Sequence, residues 1–426
     1  MRPFEVVRDP LWDNITLDEA ALGLVDSAPF QRLRYVRQLG HAFLVYPGAT
    51  HGRFEHALGA YHLTKQALAA LEIRGELTGI SEDDRLAVTL AALLHDVGHY
   101  PFSHALEEAG FPSHEAQGEA RLQSGVLHER LVAIGGDGFP ARVADLIRTR
   151  SASPLQGLIS GTLDLDKIDY LCRDSRMCGV PYGTVDVDRL LASITMVQAG
   201  PLGQRTLGVQ EKGVSALESL LFAKYQMYRN VYWHHAVRSA TCMFKRAGRT
   251  AVANGSVTRE RVAALTDDEL MHLLIERERS PLARALRERR LYKRALDLPG
   301  SEVEAATPEW VAEEPELLGR VEDALALEVG LHPGELLLDF PSRHSMLGVD
   351  LPLKLRDGGV ERLTDEGRAG HLGLPRIAQE LYRSARRLRV FVARPVRRSV
   401  EGVVGLVALG GAEVSARIEA GKPLLD

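Results

Sequence analysis

The stretch "AALLHDVGHYPFSHALE", residues 91–107, constrains this chain more than any other. An apolar run leads straight into His95 and Asp96, and His99 and His104 follow closely. Neighbours on a regular helix point about 100° apart. Both groups therefore meet one ion only at a helix end, or with the ion between their two directions. Gly98 favours a local end or bend there. Imidazole beside carboxylate suits a borderline divalent metal such as Mn, Fe, Co, Zn or Ni. The pair alone is a weak signal, because such dipeptides arise by chance. Two further donors are available, His56 in "HGRFEHALG" and Asp166 in "GTLDLDKIDYLCRD". Taken singly, His56 reads as a core or capping histidine, and Asp166 as a carboxylate favoured near a helix N-terminus. Taken with the central pair, donors on separate helices predict a site inside a helical bundle.

The surrounding sequence is helical in pattern. "LDEAALGLVDSAPFQRLRYVRQLG" has apolar residues at helical spacing, with Gly40 as a stop. "FEHALGAYHLTKQALAALEIRG" repeats apolar residues at three and four, and "SEDDRLAVTLAALLHDVGH" opens on Ser81 as an N-cap with acidic residues behind it. Residues 214–246 read as one long helical run, and "LTDDELMHLLIERERSPLARALRERRLYKRAL" as a charged helical one. Beyond residue 330 the character changes. "GELLLDFPSRHSM", "GVDLPLKLRDGGVERLTDE" and "RRLRVFVARPVRRS" are short apolar stretches broken by Gly, Pro and Asp, which predicts strands with a turn at "RDGG". The reading is a mainly α protein with a smaller C-terminal α+β region. Its expected divisions are a metal-binding domain over 1–245, a helical extension over 246–329, and the α+β region over 330–426.

Composition narrows the function class. The 426 residues are 45% hydrophobic and 26% charged, an ordinary globular balance. A net charge of -5 gives no global basic field for nucleic acid, although a local basic cleft stays open. No apolar run reaches the ~18 residues of a membrane span. The early charges of "MRPFEVVRDPLWDN" leave no apolar signal core, which predicts a cytoplasmic protein. The three cysteines, Cys172, Cys178 and Cys242, form no CxxC pair and read as free thiols.

The order of the metal-donor blocks resembles the HD-domain metal-dependent phosphohydrolases, whose ligand pattern is His, then His-Asp, then Asp. "FQRLRYVRQLG", "GATHGRFEHALG", "LLHDVGHYPFSH", "SHEAQG", "LDKIDYLCRDS" and "YQMYRNVYWHHAVR" are similar to the deoxynucleoside triphosphate triphosphohydrolase branch of that family. The branch includes the animal sterile-alpha-motif HD proteins and bacterial homologues. The likeness is strong over about residues 5–245 and loose beyond them.

The resemblance implies an HD-domain helical bundle holding a divalent cofactor (Mn, Mg, Fe, Co, Zn or Ni) on His56, His95, Asp96 and Asp166. It implies water attack on the α-phosphorus of a dNTP, releasing deoxynucleoside and inorganic triphosphate. His114 matches the position of the acid that protonates the leaving 5′ oxygen, worth about 10²–10⁴ in rate. His99 and His104 match histidines near the phosphates. Arg53 and Lys167 match phosphate-binding positions, and Lys224 stands where relatives carry Arg, which exchanges a planar fork for a point charge. Tyr170 is implied against the sugar where a 2′-hydroxyl would sit, with Asp174 and Gln38 at the 3′-hydroxyl. Tyr228 and Tyr232 form an i, i+4 aromatic pair, Tyr232 at a stacking position, and His234 is implied at the base edge. Near the N-terminus "RDPLWDNI" keeps Asp9 and Pro10 but carries Trp12 and Asp13 where relatives have His-Gly. That segment helps form an activator-nucleotide site between subunits in the animal enzymes, so activation by a nucleotide stays open here. Relatives are homo-oligomers, which implies one for this chain.

Two other readings stand beside the dNTP one. A phosphohydrolase of another nucleotide (a monophosphate, GTP or an alarmone) would release orthophosphate or pyrophosphate. A nucleotide- or nucleic-acid-binding protein with weak hydrolysis would rest on the basic run over 383–398.

Overall fold

The computed structural model describes residues 4–161, 163–199, 203–303, 308–342, 350–364 and 381–425. A bundle of helices forms its centre. The site is flanked by the helices Arg53–Ile73, Glu82–Leu94 and Leu165–Cys178. Leu63, Leu90, Leu94, Ile168 and Leu171 pack between them, all fully buried. Each such side chain contributes about 1.5–3 kcal/mol over an exposed one.

Caps set where each helix begins, and hence where the polar residues fall. Ser81 accepts from the Asp84 amide at the start of Glu82–Leu94. Ser113 caps His114–Leu122, so His114 is the first residue of its helix. Asp164 accepts the Lys167 amide at 3.0 Å, which places Asp166 in the first turn of Leu165–Cys178.

Three small sheets surround the bundle. An N-terminal hairpin pairs Glu5–Asp9 with Asp13–Leu17. A four-stranded sheet runs Ile194–Gln198, Arg205–Gln210, Leu351–Lys354, Val360–Leu363, with only its central pairing parallel. The last two strands form the hairpin expected at "RDGG", where Gly358 adopts φ +92 and Asp357 accepts the Gly359 amide at 2.9 Å. A third sheet sets Arg387–Val392 between Lys293–Pro299 and Leu336–Asp339, both antiparallel to it. Residues 343–346 and 365–366, which end two of the expected strand segments, lie outside the described residues.

Three helical expectations are modified. The first run breaks at Asp26 and Ser27, because Pro29 restarts the chain as Ala28–Gln31. The 214–246 run is two helices, Val214–Met227 and His235–Ala253, separated by a wide turn over Tyr228–Tyr232. His234 takes ψ 132 and caps the second helix through Nδ1, so the axis changes there. "LYKRAL" is edge strand rather than helix, since Pro281–Arg287 ends before it. Among the described residues no helix is long and apolar enough to cross a membrane.

Candidate metal centre and adjoining pocket

The Glu82–Leu94 helix ends one residue before His95, and His95 and Asp96 occupy the turn beyond it. His56 reaches the same point from Arg53–Ile73, and Asp166 from Leu165–Cys178. His56 Nε2 lies 3.2 Å from His95 Nε2 and 2.8 Å from Asp166 Oδ1. His95 Nε2 is 3.4 Å from both Asp166 Oδ1 and Asp96 Oδ1. Asp96 lies beside this group, its Oδ2 3.6 Å from His56 Nε2, while the donor atoms of His56, His95 and Asp166 all fall within 4.8 Å of one another.

The donor set fits a divalent cation. His56 donates Nδ1–H to Asp169 at 2.8 Å, and His95 donates Nδ1–H to the Ala92 carbonyl at 2.8 Å. Each Nε2 therefore carries a lone pair, and the two lone pairs converge with carboxylate oxygens. Acceptors facing one another need a cation or a proton between them. The electrostatics agree. Burial lowers the basicity of His56, yet Asp166 and Asp169 outweigh it and raise its pKa to about 10, so its Nε2 takes a proton unless a cation claims the lone pair. Burial would raise the Asp166 carboxyl, but His56 and His95 hold it well below the usual range.

A second layer fixes these donors. Asp169 accepts from His56, from Arg173 Nε and Nη2 at 2.9 Å each, and from the Trp12 indole N–H. Arg173 Nη1 also reaches Asp9 at 2.8 Å. Asp9, Asp169 and Arg173 are all buried. Sequence reading passed over Asp169 and Arg173, and noted Asp9 and Trp12 only in the N-terminal departure from the family pattern. The signal was present in Asp169 and Arg173 at i, i+4 on the Asp166 helix, but the partners Asp9 and Trp12 are more than 150 positions away. Trp12, one of the departures from the family pattern, thus donates its indole N–H to the carboxylate behind the candidate metal donors.

On the other side of Asp96 lies a histidine trio. His99 is fully buried, with Nε2 3.0 Å from Asp96 Oδ1. Its ring stacks on His114 at 3.7 Å between centroids, and His104 stands edge-on to both. Glu107 was missed by the sequence reading. Its carboxylate accepts from His104 and His114 Nδ1 at 3.1 Å, and from the His114 backbone amide at 3.2 Å. Burial would raise Glu107, but His104 and His114 hold it well below the usual range. Burial, Arg53 and His114 press His99 well down, so it is neutral. His104, with a side chain 58% exposed, stands at the opening. The four groups are close enough to be donors to an ion. The parallel stacking of His99 on His114 opposes this, since both lone pairs could not lie in their ring planes and meet one point.

The expected phosphate cations sit around the metal centre. Arg53 is buried, with Nη1 2.6 Å from Asp96 Oδ2 and Nε 2.9 Å from the Ser103 hydroxyl. Lys167 Nζ contacts Asp164 at 2.6 Å and the Gly161 carbonyl at 2.7 Å. Burial and the nearby Lys167 lower Lys224 to about 8, and its ammonium lies 5.9 Å from the Tyr228 ring centroid.

Opposite the trio, the His56 ring meets Tyr170 at 6.4 Å, and Tyr170 meets Tyr232 at 6.5 Å. Tyr232 donates its hydroxyl to Asp174 Oδ2 at 2.8 Å, and His51, also missed, contacts Asp174 Oδ1 at 2.8 Å. Tyr228 stands edge-on to Tyr232 at 5.0 Å. Gln38 is 8% exposed and its Oε1 is buried without a hydrogen-bond partner. His234 is the residue the fold sets apart. It stacks on His235 at 4.4 Å and lines a cavity of about 430 Å³ with Val45, Arg289, Lys293 and Arg294, none of them an expected site residue. In the basic run, Arg386, Arg387, Arg389 and Arg394 pair with Glu309, Asp297, Asp339 and Glu335, so much of that charge is spent inside the molecule.

Comparison with known families now adds weight. The HD domain model matches residues 53–174 and the HD associated region model matches residues 185–403. This chain belongs to the HD-domain family. An uncharacterized protein of Methanocaldococcus jannaschii is 39% identical over 68% of this HD-domain chain and 59% of its own length. The deoxynucleoside triphosphate triphosphohydrolase SAMHD1 of Gallus gallus is 27% identical over 63% of this chain and 52% of its own length. The chain thus spans a little over half the length of these curated relatives. Among solved structures, a hypothetical protein from Aquifex aeolicus aligns with a TM-score of 0.71 at 27% identity, covering 92% of this chain and 97% of that one. A phosphohydrolase from Bacteroides thetaiotaomicron aligns with a TM-score of 0.69 at 22% identity, covering 92% of this chain and all of that one, a likeness of fold.

Proposed function

We propose that this HD-domain protein hydrolyses deoxynucleoside triphosphates to deoxynucleoside and inorganic triphosphate. The observation that carries this is an unbroken line of contacts. It runs from His114 through His99 and Asp96 to the cation-seeking donors, then through Tyr170 to Tyr232 and Asp174. These contacts set the cation-seeking donors between the histidine cluster and the polar group of Tyr170, Tyr232 and Asp174. The likeness to SAMHD1 proteins supports the same substrate class.

His56, His95, Asp96 and Asp166 would hold a divalent ion, which would supply Lewis acidity and a water of lowered pKa. The chain's own residues do the rest. Arg53, Lys167 and Lys224 bind phosphate oxygens; Lys167 and Lys224 are like charges held close, which an anion relieves. Attack by the water oxygen at the α-phosphorus forms one P–O bond and breaks the bond to O5′. His114 delivers a proton to O5′, the proton lost by the water passing to solvent or to the histidine trio. Glu107 fixes the His114 ring and balances its charge. Gln38 Oε1 accepts the 3′-hydroxyl, and Asp174 keeps lone pairs free beyond its two partners. Tyr170 fills the space of a 2′-hydroxyl, the kind of contact that rejects a ribonucleotide strongly. We also propose a homo-oligomer, with nucleotide activation as a variable to be measured.

The test is a panel of dNTPs and rNTPs with several metals, with and without GTP or dNTP activator, read by chromatography, with light scattering for assembly. Deoxynucleoside and triphosphate are expected. Orthophosphate or pyrophosphate as the product would reject the reading. Asp166→Ala should lose metal and activity while keeping its helical circular dichroism, and retained hydrolysis would count against the centre.

A further inference from the structure

Between His99 and His104 the backbone does something costly. Phe102 and Ser103, neither of them glycine, both lie in the left-handed region, at φ 58 and φ 61. Consecutive residues in that region persist only where the surroundings over-determine them. This turn sets the separation of the two histidines. It also presents the Ser103 hydroxyl, which accepts from Arg53 Nε at 2.9 Å and donates to the Arg37 carbonyl at 2.7 Å.

The restraint comes from outside the HD-domain match. Asp267 opens the short helix Asp267–His272, within the HD associated region, and is 1% exposed. Its Oδ1 accepts the Phe102 amide at 2.7 Å. Its Oδ2 accepts the Arg37 amide and Arg37 Nη1, both at 3.1 Å. One carboxylate therefore ties two segments of the pocket: the turn that spaces His99 and His104, and the residue before Gln38. The same corner is clasped twice more. Arg32 donates to the His99 carbonyl at 2.9 Å and to the Leu265 carbonyl at 3.0 Å. Arg121 donates to the Val97 and Ala263 carbonyls. Gly40, at φ +52, packs so closely that a Cβ there would meet the Phe102 carbonyl oxygen at 3.0 Å.

We propose that Asp267 is a positioning residue for the histidine cluster: by holding the Phe102 and Ser103 turn and the Arg37 backbone on one carboxylate, it fixes His104, Arg53 and Gln38 relative to the metal donors. Asp267 touches none of the reacting atoms. It makes the geometry of the HD domain depend on the region that follows it. The inference rests on the hydrolytic reading only for its kinetic consequence, and its structural half stands apart from the substrate.

Four proteins test it: wild type, Asp267→Ala, Asp267→Asn and Thr266→Ala. Thr266 caps the same helix, its hydroxyl bonding Glu269, so its loss weakens the helix start while leaving the Asp267 carboxylate in place. Hydrogen exchange of a peptide covering residues 100–106 is measured first. Protection should fall at least tenfold in Asp267→Ala and stay at the wild-type level in Thr266→Ala; unchanged protection in Asp267→Ala overturns the proposal. Kinetics on dGTP and on bis(p-nitrophenyl) phosphate follow, with metal content. The kcat should fall 10- to 100-fold in Asp267→Ala, with KM raised as Arg53 and Gln38 lose their placing and bound metal within twofold of wild type. Asp267→Asn, the fallback should the alanine variant fold poorly, should fall less, because its amide oxygen keeps either Phe102 or Arg37 but turns NH₂ to the other. A wild-type kcat in both Asp267 variants, or an equal kcat loss in Thr266→Ala, overturns the positioning role. Wild type that turns over the diester but not dGTP rejects the dNTP reading and leaves the Asp267 comparison intact.

Discussion

Asp169→Asn is the sharpest test of how the metal donors are oriented. The substitution keeps the side chain's shape and changes only its donors and acceptors. In the native protein one carboxylate receives four hydrogens: His56 Nδ1–H and Arg173 Nε–H on Oδ2, and Arg173 Nη2–H and the Trp12 indole on Oδ1. An asparagine offers one oxygen and one NH₂. In its better orientation the oxygen keeps His56 and Arg173 Nε, and the NH₂ opposes the buried Arg173 Nη2 and the half-buried Trp12 indole. Stranding each costs about 1–3 kcal/mol, so about 2–6 kcal/mol of stability is lost. That is a large share of the ~5–15 kcal/mol of a typical fold. In the other orientation His56 faces NH₂ and loses the bond that keeps its Nε2 lone pair free. Partners that orient a ligating histidine are worth about 10–100-fold in metal affinity, or about 1.4–2.7 kcal/mol. The assay is competition with a chromophoric chelator at pH 7.5, alongside metal analysis and thermal melting followed by circular dichroism. The expected result is a lower Tm in either orientation, with metal binding weakened by at least tenfold in the one that turns NH₂ to His56. Wild-type metal affinity together with a wild-type Tm in Asp169→Asn would refute the claim that the Asp169 carboxylate orients His56.

Gly98→Ala should be severe, because a Cβ there would run into the His114 carbonyl and the Gly118 amide; loss of soluble protein or of turnover is expected, and normal kcat would contradict the close approach of the two segments. Glu107→Gln should lower kcat by about 10²-fold, within the range of an oriented acid, with metal content unchanged; equal turnover would remove Glu107 from the His114 support. The KM for a triphosphate should rise above pH 8. Burial lowers the Lys224 pKa to about 8, so its charge is present below that pH and lost above it. Lys224→Arg, charged throughout, should flatten this limb, and an unchanged KM profile would refute the assignment.

The sequence made the helices legible because their causes are local. Ser81 caps its helix by reaching three residues along the chain, and the apolar spacing of residues 53–73 needs only the neighbouring turns. The "RDGG" hairpin is equally short-range. The breaks at Ser27 and His234 were harder to see, since apolar spacing continues through them while a proline and a histidine cap redirect the axis.

What the sequence by itself determined was the inventory: helices with caps, a His-Asp pair at a helix end, and donors of the right chemistry in the right order. Tertiary packing alone decided which groups meet. Arg173 finds Asp9 across 164 positions, Asp267 finds Phe102 across 165, and His56 finds Asp169 across 113. A buried charge gains its stability from whichever partner the folded core brings within about 3 Å. That distance is set by how helices pack, and no local pattern records it.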